Sequence, residues 1–247
     1  MRSEIWSYWG TSVIGPLHTK LKLENQDSWM AREYKWGQVL VVSDGLGSKI
    51  HSAHGSRAAC LAVIETSKIF ASHEKARIED IPELIHALWI LKTAPYAPSD
   101  CAATCLFAIH IRKKLIIGRI GDGMIAAFSE NGKESFLMSD VKEDSFSNYT
   151  QSLHAVFQKE NWEMKVLDAS SYKGVLLCTD GISEDLLPES RMEFSQEVYG
   201  HYRHYSSKER NADIRRWLTE WPVKGHTDDK TVACLYRKGV GNGSETD

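Results

Sequence analysis

Short runs of apolar residues, separated by turn residues, recur along most of the chain and are typical of β-strands. They cover residues 38–43, 102–111, 115–120, 124–128, 135–138, 162–168, 174–179 and 231–236. An Asn-Gly pair at 131–132 lies between two of these runs and predicts a hairpin turn. In residues 13–23 apolar and polar side chains alternate, which predicts a further strand with His18, Lys20 and Lys22 on one face.

Apolar residues at helical spacing predict helices over residues 52–70 and 81–91, and the charged, aromatic segment 184–221 is also mostly helical in pattern. The first two helices lie between blocks of strands joined by short turns. This order favours antiparallel sheets with helices outside them, an α+β fold. Because the sequence contains no linker and no repeat, we expect a single domain over residues 1–238 and a disordered tail over 239–247.

The composition narrows the classes of function. The chain has 30 Lys and Arg against 33 Asp and Glu, a formal net charge of −3, so it lacks the bulk positive charge that binds nucleic acid or membrane surfaces. No stretch approaches the roughly 20 apolar residues of a membrane span, and the N-terminus lacks the apolar core of a signal peptide. The five cysteines are not at metal-ligand spacing and are expected to be free thiols, which predicts a cytoplasmic protein.

Five aspartates lie at the ends of predicted strands. They are Asp27, Asp44, Asp122, Asp180 and Asp228, and glycine follows three of them. A single Asp-Gly pair is a common turn. Strand ends of packed sheets meet at one rim, however, where several carboxylates repel each other unless a cation neutralises them. Because Mg²⁺ and Mn²⁺ prefer oxygen ligands, the sequence predicts a metal site.

The aspartates occur in a series of motifs that resembles one protein family. The motifs are QD, VVSDGLGS, IGDG, CTDGISE and DDKT, in that order, whereas Walker A, nucleophile-elbow and kinase motifs are absent. The series resembles the metal-dependent Ser/Thr protein phosphatases of type 2C. Residues 15–18 (GPLH), followed by the Gln26-Asp27 pair, resemble the compact bacterial branch of that family. The resemblance extends from residue 15 to residue 236.

This resemblance implies a four-layer sandwich of two antiparallel β-sheets flanked by helices, with a dinuclear Mn²⁺ or Mg²⁺ centre at one end. By motif position, Asp44 bridges the two ions and the Gly45 carbonyl binds one of them. Asp180 and Asp228 hold the other ion, and Asp27 acts through metal-bound water.

The resemblance also implies a third, weaker ion held by Asp122 with Asp180 and Glu184. The implied reaction is hydrolysis of a phosphomonoester by metal-activated water, with Asp27, Asp44 and His18 as catalytic residues. The implied partner is a phosphorylated protein, either a Ser/Thr kinase or its target. Residues 184–225 take the place of the family's variable flap.

The sequence departs from the family pattern at three positions. The arginine that binds the substrate phosphate in many relatives is missing, and we assign its role to His18, assisted by Lys20; a solvated basic strand face is the alternative. Leu46 stands where some members carry a histidine that serves as general acid. Gln26 replaces a glutamate, which removes one charge beside the metal.

Three functions remain open at this point. The first is a metal-dependent phosphoprotein phosphatase, which we favour because Asp44, Asp180 and Asp228 are all present. The second is a catalytically inactive pseudophosphatase that acts as a binding or regulatory module. The third is a phosphatase that acts on a small phosphorylated metabolite.

Overall fold

The computed structural model describes residues 6–73, 75–129, 132, 135–139 and 151–238. The strands are β1 (Trp6–Val13), β2 (Ser28–Tyr34), β3 (Gly37–Ser43), β4 (Cys105–Ile111), β5 (Lys114–Ile120), β6 (Met124–Ser129), β7 (Phe136–Ser139), β8 (Glu163–Asp168), β9 (Tyr172–Cys178) and β10 (Lys230–Arg237). The α-helices are α1 (Pro16–Leu21), α2 (Ser52–Ser72), α3 (Ile81–Thr93), α4 (Asp180–Ser183), α5 (Arg191–Tyr202) and α6 (Ser207–Thr219).

The strands form two five-stranded antiparallel sheets. Sheet I has the order β1-β10-β9-β6-β7, and sheet II has the order β2-β3-β4-β5-β8. The chain passes from sheet II to sheet I between β5 and β6. The end of β3 pairs with the start of β2, since Ser43 lies opposite Ser28. The end of β9 likewise pairs with the start of β6, since Cys178 lies opposite Met124.

Side chains that alternate along each central strand separate the core into layers. In β3, Leu40 and Val42 pack between the two sheets, whereas Val39 and Val41 pack outward against α2 and α3. In β9, Leu177 packs between the sheets and neighbouring side chains face α5 and α6. The arrangement is a four-layer α-β-β-α sandwich, which confirms the predicted α+β fold.

Most of the predicted elements are confirmed. The two predicted helices correspond to α2 and α3, and the predicted apolar strands correspond to β3–β10 with shifts of a few residues at their ends. β6 and β7 pair as an antiparallel hairpin across the predicted Asn-Gly turn, of which Gly132 is described, with a φ of 73°. The tail expected to be disordered, 239–247, lies outside the described residues.

The strand predicted over residues 13–23 is wrong. β1 ends at Val13, and the residues after it form the short helix α1. Pro16 occupies the start of this helix, where its fixed φ is favourable, and Lys22 ends it in the left-handed conformation. None of the α1 side chains is buried, so the alternating leucines have no sheet face to cover.

Two strands lie outside the predicted elements. β2 has no clear alternation, since Ala31 is its one buried residue, and β1 lies before the alternating residues 13–23 except for Val13. The alternating pattern indicated a strand directly before Asp27. In the structure Asp27 instead precedes the strand β2.

Candidate metal centre

The five aspartates predicted from strand ends lie together at one end of the sandwich. Asp27 and Asp44 flank β2 and β3 of sheet II, whereas Asp180 and Asp228 flank β9 and β10 of sheet I. Asp122 lies in the connection that passes from one sheet to the other. The fold therefore brings carboxylates from both sheets and from their crossing to one place.

The distances within this cluster suit a shared cation. Oxygens of Asp44, Asp122 and Asp180 all lie within 4.8 Å of one another. Asp27 and Asp44 are close enough for each carboxyl group to influence the pKa of the other. Asp228 is close enough to both Asp44 and Asp180 to repel their charges. We call these five aspartates the carboxylate cluster.

Burial and mutual repulsion make the carboxylate cluster costly to ionise without a cation. Burial raises the pKa of Asp27 to about 7, against hydrogen bonds that lower it. Burial, together with the charges of Asp122 and Asp228, raises the pKa of Asp180 to about 8. The pKa of Asp44 is raised well above its usual value by burial and by Asp27 and Asp180. A cluster of oxygen donors in this condition fits a hard divalent cation, which would remove the repulsion.

Glycines let the backbone segments of the site approach each other. The Gly45 N–H donates to the Gln26 carbonyl over 3.1 Å, so the segments that carry Asp27 and Asp44 touch. A Cβ atom on Gly45 would lie 2.4 Å from the Ser52 carbonyl oxygen, and one on Gly181 would lie 2.0 Å from the Asp229 carbonyl oxygen. Both contacts exclude any side chain at these positions.

The comparisons with known proteins agree with this geometry. The family profile described as protein phosphatase 2C matches residues 14–219. The chain belongs to the protein phosphatase 2C family. The family consists of metal-dependent protein Ser/Thr phosphatases, so the chain is classed with these enzymes. No curated protein matches the sequence significantly.

Solved structures with the phosphatase 2C fold resemble the chain over almost its full length. The Ser/Thr phosphatase Stp1 from Staphylococcus aureus superposes with a TM-score of 0.66 at 12% identity, covering 95% of this chain and 96% of that one. The S. agalactiae Ser/Thr phosphatase gives a TM-score of 0.64 at 16% identity, covering 94% and 100%. RsbX in complex with magnesium gives 0.60 at 16% identity, covering 96% and 97%. At these identities the likeness shows the fold.

Two threonines position aspartates of this phosphatase 2C site, Thr179 through the Asp27 carboxylate and Thr104 through the Asp44 backbone, and both were missed in the sequence. The Thr179 hydroxyl donates to Asp27 Oδ2 over 2.8 Å and accepts from the Thr231 N–H over 3.1 Å. Thr104 accepts from the Asp44 N–H over 2.9 Å, and its own N–H donates to the Asp44 carbonyl over 2.8 Å. Thr179 precedes Asp180 directly, but no local pattern indicates that its partner is Asp27.

Asp229 joins three segments around the carboxylate cluster. It is 1% exposed, and its two oxygens accept from the Gly15 and Gln26 N–H groups, each over 2.6 Å. Its Oδ2 atom also lies 2.9 Å from His18 Nδ1. The alternating pattern placed His18 on a strand face. In the structure His18 belongs to α1, and its ring lies beside the buried carboxylate of Asp229. The side-chain atoms of His18, Asp228 and Asp229 lie within 4.8 Å of one another.

Glu184 lies one helical turn after Asp180, at the end of α4. Its N–H donates to the Asp180 carbonyl over 2.9 Å, and its charge contributes to the raised pKa of Asp180. Leu46 follows the Asp44-Gly45 pair and offers no group that could donate a proton.

A buried lysine lies beside the carboxylate cluster. Lys230 Nζ lies 2.9 Å from His226 Nδ1, 3.2 Å from the Asp228 carbonyl oxygen and 5.9 Å from the centre of the Trp221 ring. Burial lowers the pKa of Lys230, while Asp185 and Asp228 act in the opposite direction. Lys230 thus places one positive charge beside the acidic groups.

Within the described residues, no helix is long and apolar enough to cross a membrane.

Proposed function

We propose that this chain is an active phosphoprotein phosphatase that hydrolyses phosphoserine and phosphothreonine at a dinuclear Mn²⁺ or Mg²⁺ centre. The observation that carries the proposal is the carboxylate cluster, in which aspartates from both sheets come together with raised pKa values. A pseudophosphatase would not need to retain this cost to stability. Membership of the phosphatase 2C family supports the reaction type.

The residues suit the roles expected from the motifs. Asp44, central to the cluster, would bridge the two ions with help from the Gly45 carbonyl, and Asp180 and Asp228 would hold one of them. Asp27, which the Thr179 hydroxyl holds in place, would orient metal-bound water. Asp122 and Glu184, both close to Asp180, would hold a third and weaker ion.

When bound, the metal ions supply charge that lowers the pKa of water and neutralises the phosphoryl oxygens. The chain's own residues bind and orient the substrate. The His18 ring, whose Nδ1 atom lies 2.9 Å from Asp229 Oδ2, would donate a ring N–H to a phosphoryl oxygen. We assign phosphate binding to His18 and not to Lys20, which is exposed on α1.

We further propose that the substrate is a phosphorylated protein, a Ser/Thr kinase or its target, and that the protein acts in the cytoplasm. All five cysteines are free and buried, which fits a reducing compartment. The solved structures of similar fold include proteins titled Ser/Thr phosphatases, which supports a phosphoprotein over a small metabolite.

The test is hydrolysis of an aryl phosphate and of a phosphothreonine peptide, each with Mn²⁺ and with EDTA. We expect activity on both substrates with Mn²⁺, none with EDTA, and a loss of at least about 100-fold in Asp44→Asn. Asp168→Asn is the matched control, since Asp168 pairs with Lys114 at the opposite end of β5 from the site. Activity that survives EDTA, or that is equal in Asp44→Asn, contradicts the mechanism. A complete lack of activity with every divalent metal favours the pseudophosphatase.

A further inference from the structure

A groove opens beside Asp228, between α1 and the end of α6. Its volume is about 350 Å³. Pro16 and Lys20 of α1 form part of one wall, and Leu218 of α6 forms part of the other. Asp228, His226 and Lys230 also line it. The groove therefore continues from a proposed metal ligand towards the variable segment 184–225.

Two lysines give this groove positive charge. Lys20 is exposed, whereas Lys230 is 1% exposed. An ammonium group has three N–H donors. Within the described residues Lys230 directs two of them at His226 Nδ1 and the Asp228 carbonyl oxygen. A third donor of a buried cation remains for a ligand. The charge of Lys230 already faces Asp185 and Asp228, and an anion in the groove would add to these partners through the third donor.

The negative charge along the groove is limited. Asp228 is the one acidic residue among the described residues that line it, and a metal ion would offset its charge. Asp27, Asp185 and Asp229 act on Lys230 from outside this lining. The chain as a whole carries a net charge of −3, so it does not attract anions by its overall field. Any preference for an acidic ligand must therefore arise locally, from Lys20 and Lys230.

We infer that this groove, which we call the basic groove, binds a glutamate or aspartate side chain of the phosphoprotein substrate, near the phosphorylated residue in sequence. Its volume is at the lower end of the range for ligand pockets, about 300–1,000 Å³, and suits a side chain of an extended peptide. The inference rests on the proposed function, because that function places the phosphate at the carboxylate cluster beside Asp228.

The experiment measures binding, so that it does not depend on turnover. Two fluorescent peptides carry a non-hydrolysable phosphonate analogue of phosphothreonine and differ only in having glutamate or glutamine at the flanking positions. Their dissociation constants for the full chain with Mn²⁺ are measured by fluorescence anisotropy. We expect the glutamate peptide to bind about fivefold more tightly, as for a partly exposed ion pair, and this preference to decrease with added salt.

The variant Lys20→Glu tests the groove, and Lys22→Glu is its matched control. Both residues are exposed and belong to α1 or its end, and both substitutions change the net charge equally, but Lys22 does not line the groove. We expect Lys20→Glu to abolish or reverse the preference for glutamate and Lys22→Glu to retain it. The variant Lys230→Met, assessed with its thermal stability, should also reduce the preference.

Three results overturn the inference: equal binding of both peptides by the wild-type chain, an equal loss of preference in Lys20→Glu and Lys22→Glu, or an equal weakening of both peptides by Lys20→Glu. The last result would place Lys20 at the phosphate itself. Hydrolysis of an aryl phosphate, which has no flanking residues, is measured separately. A chain that binds with the expected preference but does not hydrolyse the aryl phosphate retains the groove and refutes the proposed function.

Discussion

The Nδ1 atom of His18 lies 2.9 Å from Oδ2 of Asp229, a carboxylate that is almost fully buried beside Asp228, a proposed metal ligand. The same carboxylate accepts from the N–H groups of Gly15 and Gln26. Asp229 thus connects the start of α1, the segment before Asp27 and the start of β10. A side chain with no place among the expected ligands holds three parts of the site together.

Asp229→Asn should destabilise the protein, because an amide has one acceptor oxygen where the carboxylate has two. The amide NH₂ would face a donor, either the Gly15 N–H or the Gln26 N–H and His18. We expect a decrease of about 1–3 kcal/mol in the free energy of unfolding, measured by urea denaturation. His18→Gln is the control that removes the histidine and leaves both backbone partners. An unchanged free energy of unfolding in Asp229→Asn would show that the contacts of the carboxylate with the Gly15 and Gln26 N–H groups do not stabilise the fold.

His18→Ala should raise the KM for a phosphothreonine peptide and leave kcat less affected, because the imidazole is proposed to bind a phosphoryl oxygen. Loss of a hydrogen bond to a charged group predicts an increase of about tenfold in KM. Steady-state kinetics with the peptide and with an aryl phosphate measure this change. If the KM for both substrates is unchanged, His18 does not bind the phosphate.

Thr179→Val should weaken metal binding, since the hydroxyl that orients Asp27 is lost while the volume of the side chain is kept. Residues that orient ligands typically change metal affinity by about 10- to 100-fold. Thr179→Ser keeps the hydroxyl and should restore most of the affinity. The readout is the Mn²⁺ dissociation constant of each variant. Equal constants in the valine and serine variants would exclude a role for the hydroxyl.

The metal-free protein should lose stability as the pH rises. The folded-state pKa values of Asp27 and Asp180 are raised to about 7 and about 8, from 3.8. The folded state therefore binds more protons than the unfolded state between these values, and its stability decreases with increasing pH through the folded pKa values. Thermal denaturation in EDTA should show a Tm that falls from pH 5 to pH 9.

Two controls make this pH dependence specific. Saturating Mn²⁺ should raise the Tm most at the alkaline end, where the carboxylates are ionised, and Asp27→Asn in EDTA should show a smaller decrease with pH than the wild-type chain. A Tm in EDTA that rises over this range would contradict the raised pKa values.

The sequence predicted four members of the carboxylate cluster because each one follows or precedes an apolar strand, whereas Asp27 was predicted from the alternating pattern of residues 13–23, which forms no strand after Val13. Asp44 and Asp180 directly follow buried runs, and such strands end at the rim of a packed sheet. The fold class could be predicted for the same reason, since strand and helix periodicity are local properties. Asp122 was predicted in the same way, from a turn between two apolar strands.

The residues that organise the cluster could not be predicted locally. The partners of Asp229 are far away in the sequence, and the contact of Thr179 with Asp27 joins the two sheets. Residues 13–23 show a second limit, because an alternating pattern of a few residues fits both a strand and the exposed helix α1. The helix is consistent with Pro16 at its start, and the contacts of Asp229 with Gly15 and His18 fix its place in the fold.

The central claim, that the carboxylate cluster holds two catalytic cations, is tested most directly by equilibrium dialysis of the wild-type chain against Mn²⁺. We predict two tightly bound ions per chain, with further weak binding at high concentration, and the loss of at least one tight ion in Asp44→Asn. The claim is contradicted if the wild-type chain binds no Mn²⁺ tightly, or if the Asp44→Asn variant binds as many tight ions as the wild-type chain.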